Sequence, residues 1–187
     1  GLKRYLKGTF QFKLGWRWYF VTVLVVAFGA LGQILINRLL GSHFKFSLYL
    51  LQLPSFIPLI ILGPLSEEYG WRGYLLIKLQ QKWNGLISTL VVGIIWALWH
   101  LPLFFMIGTS QHELQIPFIG FLVGIVSVSI LMTWINNNTR HSLWAAILFH
   151  WLYTYTVQVN STGIIRSIPY NWLEMTPFVL MALAVLI

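Results

Sequence analysis

Residues 16–40 run without an acidic residue and with little polarity, which is about the ~20 residues one bilayer crossing requires. Apolar blocks follow at residues 48–80, 86–107, 115–135 and 143–159. A sixth starts at Glu174 and is still running at Ile187, as in a fragment of a longer protein. A soluble domain carries ~25% charged residues, whereas this chain carries 9% charged and 58% hydrophobic residues. The expected fold class is therefore all-α: a polytopic transmembrane bundle of about six to seven helices, forming one integral membrane domain over residues 1–187. The first block is too long for a signal peptide, and no small-residue cleavage site follows it.

The second block exceeds one crossing. Pro54, Pro58 and Pro64 are expected to break it, with a new helix starting near Ser66 as N-cap and Glu67 and Glu68 in its first turn. The fourth block carries Gly120-x-x-x-Gly124 and then Ser127, small residues that let helices pack closely in lipid. Polar loops are expected at residues 108–114, 136–142 and 160–171.

The net charge is +8, from 12 Lys and Arg against 4 acids. In a soluble chain that excess would point to nucleic acid. Here the cations sort by segment end, so the expected partner is the lipid bilayer and not nucleic acid. With the amino terminus in the cytoplasm, Lys3, Arg4, Lys7, Lys13, Arg17, Lys78, Lys82 and Arg140 fall inside. Arg38, Lys45 and Arg166 fall outside, and Arg72 lies within a helix. The absence of cysteine excludes disulfides, thiolate zinc sites and a Cys nucleophile.

Of the four acids, Glu67 and Glu68 stand side by side within an apolar stretch, where an ionisable group is costly and by default functional. Arg72 follows Glu68 by four residues, so the two share a helix face and can neutralise each other. Glu67 points ~100° away and is left free to take a proton as a general base. His100, in Trp96-Ala97-Leu98-Trp99-His100, and His150, in Phe149-His150-Trp151, also lie within apolar blocks. His43, His112 and His141 fall in expected loops and read as solvated. Counting ~1.5 Å per residue from the cytoplasmic helix ends puts His100 deeper than His150.

Glu67-Glu68-Tyr69-Gly70-Trp71-Arg72 resembles the EExxxR motif of the CPBP family of intramembrane endopeptidases, which groups type II CAAX prenyl proteases with bacterial Abi and bacteriocin-processing or self-immunity proteins. Trp96 to His100 resembles the family's FxxxH motif with Trp for Phe. His150 to Thr154 resembles HxxxN with Thr for Asn. The resemblance covers roughly residues 63–155. It implies that Glu67, helped by His100, activates the water that attacks a scissile carbonyl, and that His150 and Thr154 donate to the developing oxyanion. Glu68 and Arg72 would support the site. A membrane-associated substrate is implied, either a prenylated CAAX-like protein or a leader peptide, together with a bacterial plasma-membrane location. No cofactor is expected. The alternative is zinc held by Glu67, His100 and His150 as a His₂Glu set with an open position. The His112-Glu113 pair does not extend to HExxH.

Two rival readings are kept. A non-catalytic bacteriocin-immunity or scaffolding protein of the same fold is favoured by Thr154. A small transporter would use the same charges as a relay, but no internal repeat encourages it.

Overall fold

The computed structural model describes residue 12, residues 14–167 and residues 169–186. Lys3, Arg4, Lys7 and Lys13 lie outside the described residues. The chain is an all-α bundle apart from one two-residue ribbon. Helix α1 (Trp16–Leu39) is followed by a turn through Gly41, whose φ of +85° suits glycine, and by strand β1 (His43–Phe44). Then come α2 (Ser47–Phe56), α3 (Ser66–Gly70), α4 (Leu76–Gln80), α5 (Gly85–Trp99) and α6 (Ser110–Glu113). Helices α7 (Phe118–Asn138) and α8 (Leu143–Gly163), strand β2 (Ile164–Ile165) and α9 (Thr176–Ala184) complete the chain. The ribbon is antiparallel, pairing His43 with Ile165 and Phe44 with Ile164. It ties the end of α1 to the end of α8.

Three segments are long and apolar enough to cross a membrane: Trp16–Leu39, Gly85–Phe105 and Phe118–Asn138. Helix α8 is as long as α7 but more polar, carrying Thr154, Gln158 and Asn160. It can be so because other helices surround it. Its Ala145, Ala146, Phe149 and Tyr153 are buried in one cluster with Trp96 of α5, Val128 and Leu131 of α7, and Phe178 of α9. It also runs to Gly163, past the expected start of the loop at residue 160.

The expected break at Ser66 is not there. The discontinuity falls earlier, at Ile57–Pro58, where the amides of Ile60 and Ile61 bond only three residues back. From residue 59 the backbone stays helical to Gln80. It passes through two wide π-helical turns, Ile61–Leu65 and Trp71–Leu75, the first of which contains Pro64. A widened turn accommodates the amide that proline lacks, so the helix bulges instead of ending. Ser66 is accordingly no N-cap: its hydroxyl donates back to the Gly63 carbonyl at 2.8 Å. True side-chain caps sit at Asn84, which accepts from the Ile87 amide at 2.9 Å, and at Ser142, which accepts from Ala145.

Gly120 and Gly124 do pack closely, against Trp172 and Met175 of the short turn that leads into α9. Helix α1 meets α9 in the same way. A Cβ added at Gly29 would stand 2.3 Å from the buried Phe178 ring. Overpacking of this kind costs typically 1–3 kcal/mol. Gly29→Ala is therefore expected to lower the thermal midpoint in detergent. Gly63→Ala, whose added methyl meets nothing within 4 Å, should not.

Candidate active site

The π-bulged segment brings Glu67 and Glu68 into the bundle on different sides. Glu68 is fully buried. One Arg72 nitrogen, Nη1, donates to both its oxygens, at 2.9 and 3.1 Å, as the four-residue spacing requires. Arg72 Nη2 donates to Ser129 Oγ of α7 at 3.2 Å, and Ser129 in turn contacts Thr89 of α5. The Arg72 guanidinium also lies over the Trp96 ring, 4.6 Å from its centroid, a cation–π contact in a dry setting.

His150 completes this group. Its Nδ1 lies 2.8 Å from Glu68 Oε1. The Glu68 carboxylate, paired with Arg72, accepts here, so Nδ1 carries the hydrogen and Nε2 is the imidazole atom left for chemistry. The four-residue spacing pairs Glu68 with Arg72, whereas its contact with His150 spans 82 residues and has no local signal.

Glu67 is held by tryptophan indoles. Its Oε2 accepts from Trp96 Nε1 at 2.9 Å and more distantly from Trp71 Nε1 at 3.4 Å. Its Oε1 has no hydrogen-bond partner among the described residues. His100 caps the end of α5, and its Nδ1 lies 2.8 Å from the Trp96 carbonyl. A carbonyl can only accept, so this Nδ1 also carries the hydrogen and Nε2 is free. Glu67 and His100 are not bonded to each other among the described residues. Trp96 holds both of them, one by its indole and one by its backbone. Its ring also lies 5.0 Å, centroid to centroid, from the His150 ring. Both histidines thus meet at Trp96, whatever their distances from the helix ends.

Trp96 is 1% exposed. In the sequence Trp96 stands out only as an aromatic within a motif. The signal available was a residue with an N–H donor four positions before a buried histidine.

A cavity of about 190 Å³ is lined by His100, His150 and Thr154, with Trp96 between them. Thr154 is exposed to it and stands one helical turn after His150, as expected. Tyr155, its neighbour, is engaged elsewhere and donates to the Tyr49 carbonyl. Glu67 lines a separate open hollow with Ser66, Gly70, Trp71 and Trp99. So the structure gathers His100, His150 and Thr154 around one space, backs His150 with Glu68 and Arg72, and sets Glu67 beside that space behind the Trp96 indole. Among the described residues no group of three His or Glu side chains is placed to hold a metal ion.

The far wall of the cavity was not anticipated. Arg166 forms an ion pair with Glu174 through both carboxylate oxygens and donates to Asn37 of α1 at 3.2 Å. Arg166 and Glu174 line the cavity together with Gln33 and Asn160, which bond each other at 2.9 Å. Of the loop histidines, His43 is exposed in β1, His141 is exposed, and His112 is half-buried beside Glu113.

A family profile described as "Type II CAAX prenyl endopeptidase Rce1-like" matches residues 48–156. All six residues singled out in the sequence lie within that span. The chain is also 36% identical over 118 residues to the CAAX prenyl protease 2 of Methanococcus maripaludis. That alignment covers 59% of this chain and 44% of the relative, so the matched region is less than half the relative's length.

Removing one partner of a buried pair strands the other charge, at about 3–5 kcal/mol. Arg72→Met is expected to lose that much stability in detergent unfolding, and the Glu68→Gln/Arg72→Met double variant less than the sum of the two single losses. A second prediction concerns the loop beside the cavity. Glu113 accepts from the Gly108 amide at 2.8 Å and sits 3.3 Å from His112. The amide and then the imidazole hold its carboxyl below the usual range. A depressed folded value means that this tie is complete above the unfolded carboxyl value of ~4.3 and is lost as pH falls through the lowered one. Exchange protection of the Gly108 amide should fall on that acid limb, and Glu113→Gln should remove the pH dependence.

Proposed function

The chain belongs to the Rce1-like CAAX prenyl endopeptidase family, and on that premise we propose that it is an intramembrane endopeptidase that cuts a peptide bond by means of an activated water. The observation that carries this reading is the double grip of Trp96 on Glu67 and His100, which leaves Glu67 Oε1 and His100 Nε2 without a hydrogen-bond partner among the described residues. Water held between such atoms would lose a proton to Glu67 as its oxygen attacks the scissile carbonyl carbon. The proton then passes to the leaving nitrogen as the C–N bond breaks. His150, held by the Glu68 carboxylate, and the Thr154 hydroxyl beside it would stabilise the oxyanion. Glu68 and Arg72 act through His150 as positioning residues. The CAAX prenyl protease named among the relatives suggests a prenylated carboxy-terminal substrate, and a leader peptide is the other member of the same class. The chain's many exposed apolar side chains and its three candidate spans support action within the bilayer.

One observation favours a second reading. Glu67 and the two histidines line different spaces. In a non-catalytic protein of this fold, such as an immunity or scaffolding factor, the cavity would bind a partner segment without cutting it.

A membrane-tethered peptide reporter, expressed with the chain, separates the two. Under the proteolytic reading Glu67→Gln lowers cleavage by about 10²–10⁴-fold, the usual contribution of a general base. Thr154→Ala lowers kcat with little change in KM. Equal cleavage by the parent chain and Glu67→Gln would assign the base elsewhere. Retention of the reporter without cleavage, unchanged in Glu67→Gln, would select the binding protein.

A further inference from the structure

Several buried hydroxyls in this chain turn back on their own helix. Thr22 donates to the Trp18 carbonyl, Ser127 to Val123 and Thr139 to Ile135, each four residues earlier. Three others do not. Thr89 of α5 and Ser129 and Thr133 of α7 are buried, and their hydroxyls bond between the two helices. Thr133 Oγ1 donates to Thr89 Oγ1 at 2.9 Å. Thr89 Oγ1 and Ser129 Oγ lie 3.1 Å apart, and Ser129 Oγ lies 3.2 Å from the Thr89 carbonyl. The helices approach closely here: a Cβ added at Gly93 would stand 3.0 Å from the Ser129 Cβ.

Arg72 stands at the end of this row and fixes its direction. A guanidinium can only donate, so Ser129 Oγ accepts from Arg72 Nη2 at 3.2 Å. The one hydroxyl hydrogen of Ser129 goes to the Thr89 carbonyl. Thr89 Oγ1 therefore donates to Ser129 and accepts from Thr133. Arg72 needs such an anchor. Its hold on Glu68 runs through Nη1 alone, at 2.9 and 3.1 Å. A fork of two nitrogens would set the guanidinium plane, whereas one shared nitrogen lets the group pivot. Arg72 Nε is buried without a hydrogen-bond partner among the described residues. The plane is thus set by Ser129 and by the face of Trp96. Glu68 Oε1 contacts both Arg72 Nη1 and His150 Nδ1, so a pivot of the guanidinium moves the carboxylate that orients the imidazole.

We propose that Ser129, Thr89 and Thr133 are positioning residues for the reaction: their row of hydroxyls locks the Arg72 guanidinium and, through Glu68, the ring of His150. This rests on the proteolytic reading and extends it to a third layer of side chains. None of the three is among the described residues that line the cavity. They act through His150 and not on the substrate, so their effect falls on kcat and spares KM.

Thr89→Val keeps the shape of the side chain and removes its hydroxyl, and Thr89→Ser keeps the hydroxyl. Ser127→Ala is the control, since that hydroxyl of α7 bonds within its own helix. Each full chain is purified in detergent, and kcat and KM are measured on the peptide reporter. The His150 Nδ1–H proton is followed by NMR in chains carrying isotope-labelled histidine, and is assigned by its loss in His150→Gln. Thr89→Val is expected to lower kcat by roughly 10- to 100-fold, up to the scale of an ångström's misplacement, with KM unchanged and the His150 resonance shifted. Thr89→Ser restores both, and Ser127→Ala matches the parent chain. An unmoved resonance in folded Thr89→Val, or a Thr89→Ser chain as impaired as Thr89→Val, overturns the proposal. Should Thr89→Val fail to fold, Thr133→Val and Thr133→Ser, which leave Thr89 and Ser129 in place, are read against the same outcomes. Glu67-dependent cleavage with an unmoved resonance refutes the hydroxyl row alone. A shifted resonance without Glu67-dependent cleavage by the parent chain refutes the proteolytic reading.

Discussion

A carboxylate and a guanidinium have been taken out of water together at Glu68 and Arg72, and the arrangement around them follows from the need to satisfy both. In lipid, apolar side chains gain nothing by leaving the solvent for one another, so helix association rests on close packing and polar contacts. The buried pair supplies such contacts in several directions. Arg72 reaches Ser129 on α7 and stacks on Trp96 of α5, while Glu68 reaches His150 on α8. Three helices are thereby held in register around one residue pair on the bulged segment. The histidine that faces the cavity has its ring orientation set by this network and not by the cavity.

Two adjacent glutamates end in unlike surroundings because a helix turns by about 100° per residue. Glu68 is immersed in compensating donors. Glu67 is held by indole N–H groups on one oxygen only. The wide turn at Trp71–Leu75 lies immediately after the pair, and π-bulges of this kind are frequent at functional sites. The bulge leaves the Glu68–Arg72 spacing intact while shifting every later residue of the segment around the axis.

The second ion pair, Arg166 with Glu174, does for the cavity's outer wall what the first does for its inner one. It joins the connection after β2 to the turn before α9 and, through Asn37, to α1. Each buried ion pair is local in the chain, but through further hydrogen bonds it reaches distant segments: Glu68–Arg72 to Ser129 and His150, Arg166–Glu174 to Asn37. The packing of Gly29 against Phe178 and of Gly124 against Met175 closes the apolar remainder.

The membrane class, the helical content and the pairing of Glu68 with Arg72 were all legible in the sequence, because each depends on local quantities: block length, charge scarcity and a spacing of four residues. His150 and Thr154 on one face followed from the same periodicity. The helix start assigned to Ser66 was wrong because a proline rule assumes a regular α-helix and cannot see a π-turn that absorbs the missing amide. What only the tertiary structure decided was partnership between helices. It gave Glu67 to the Trp96 indole, His150 to Glu68, and Arg166 to Glu174, and it put Glu67 and the two histidines in separate spaces. Those pairings depend on how helices are staggered and rotated against one another, which no periodicity within a single helix encodes.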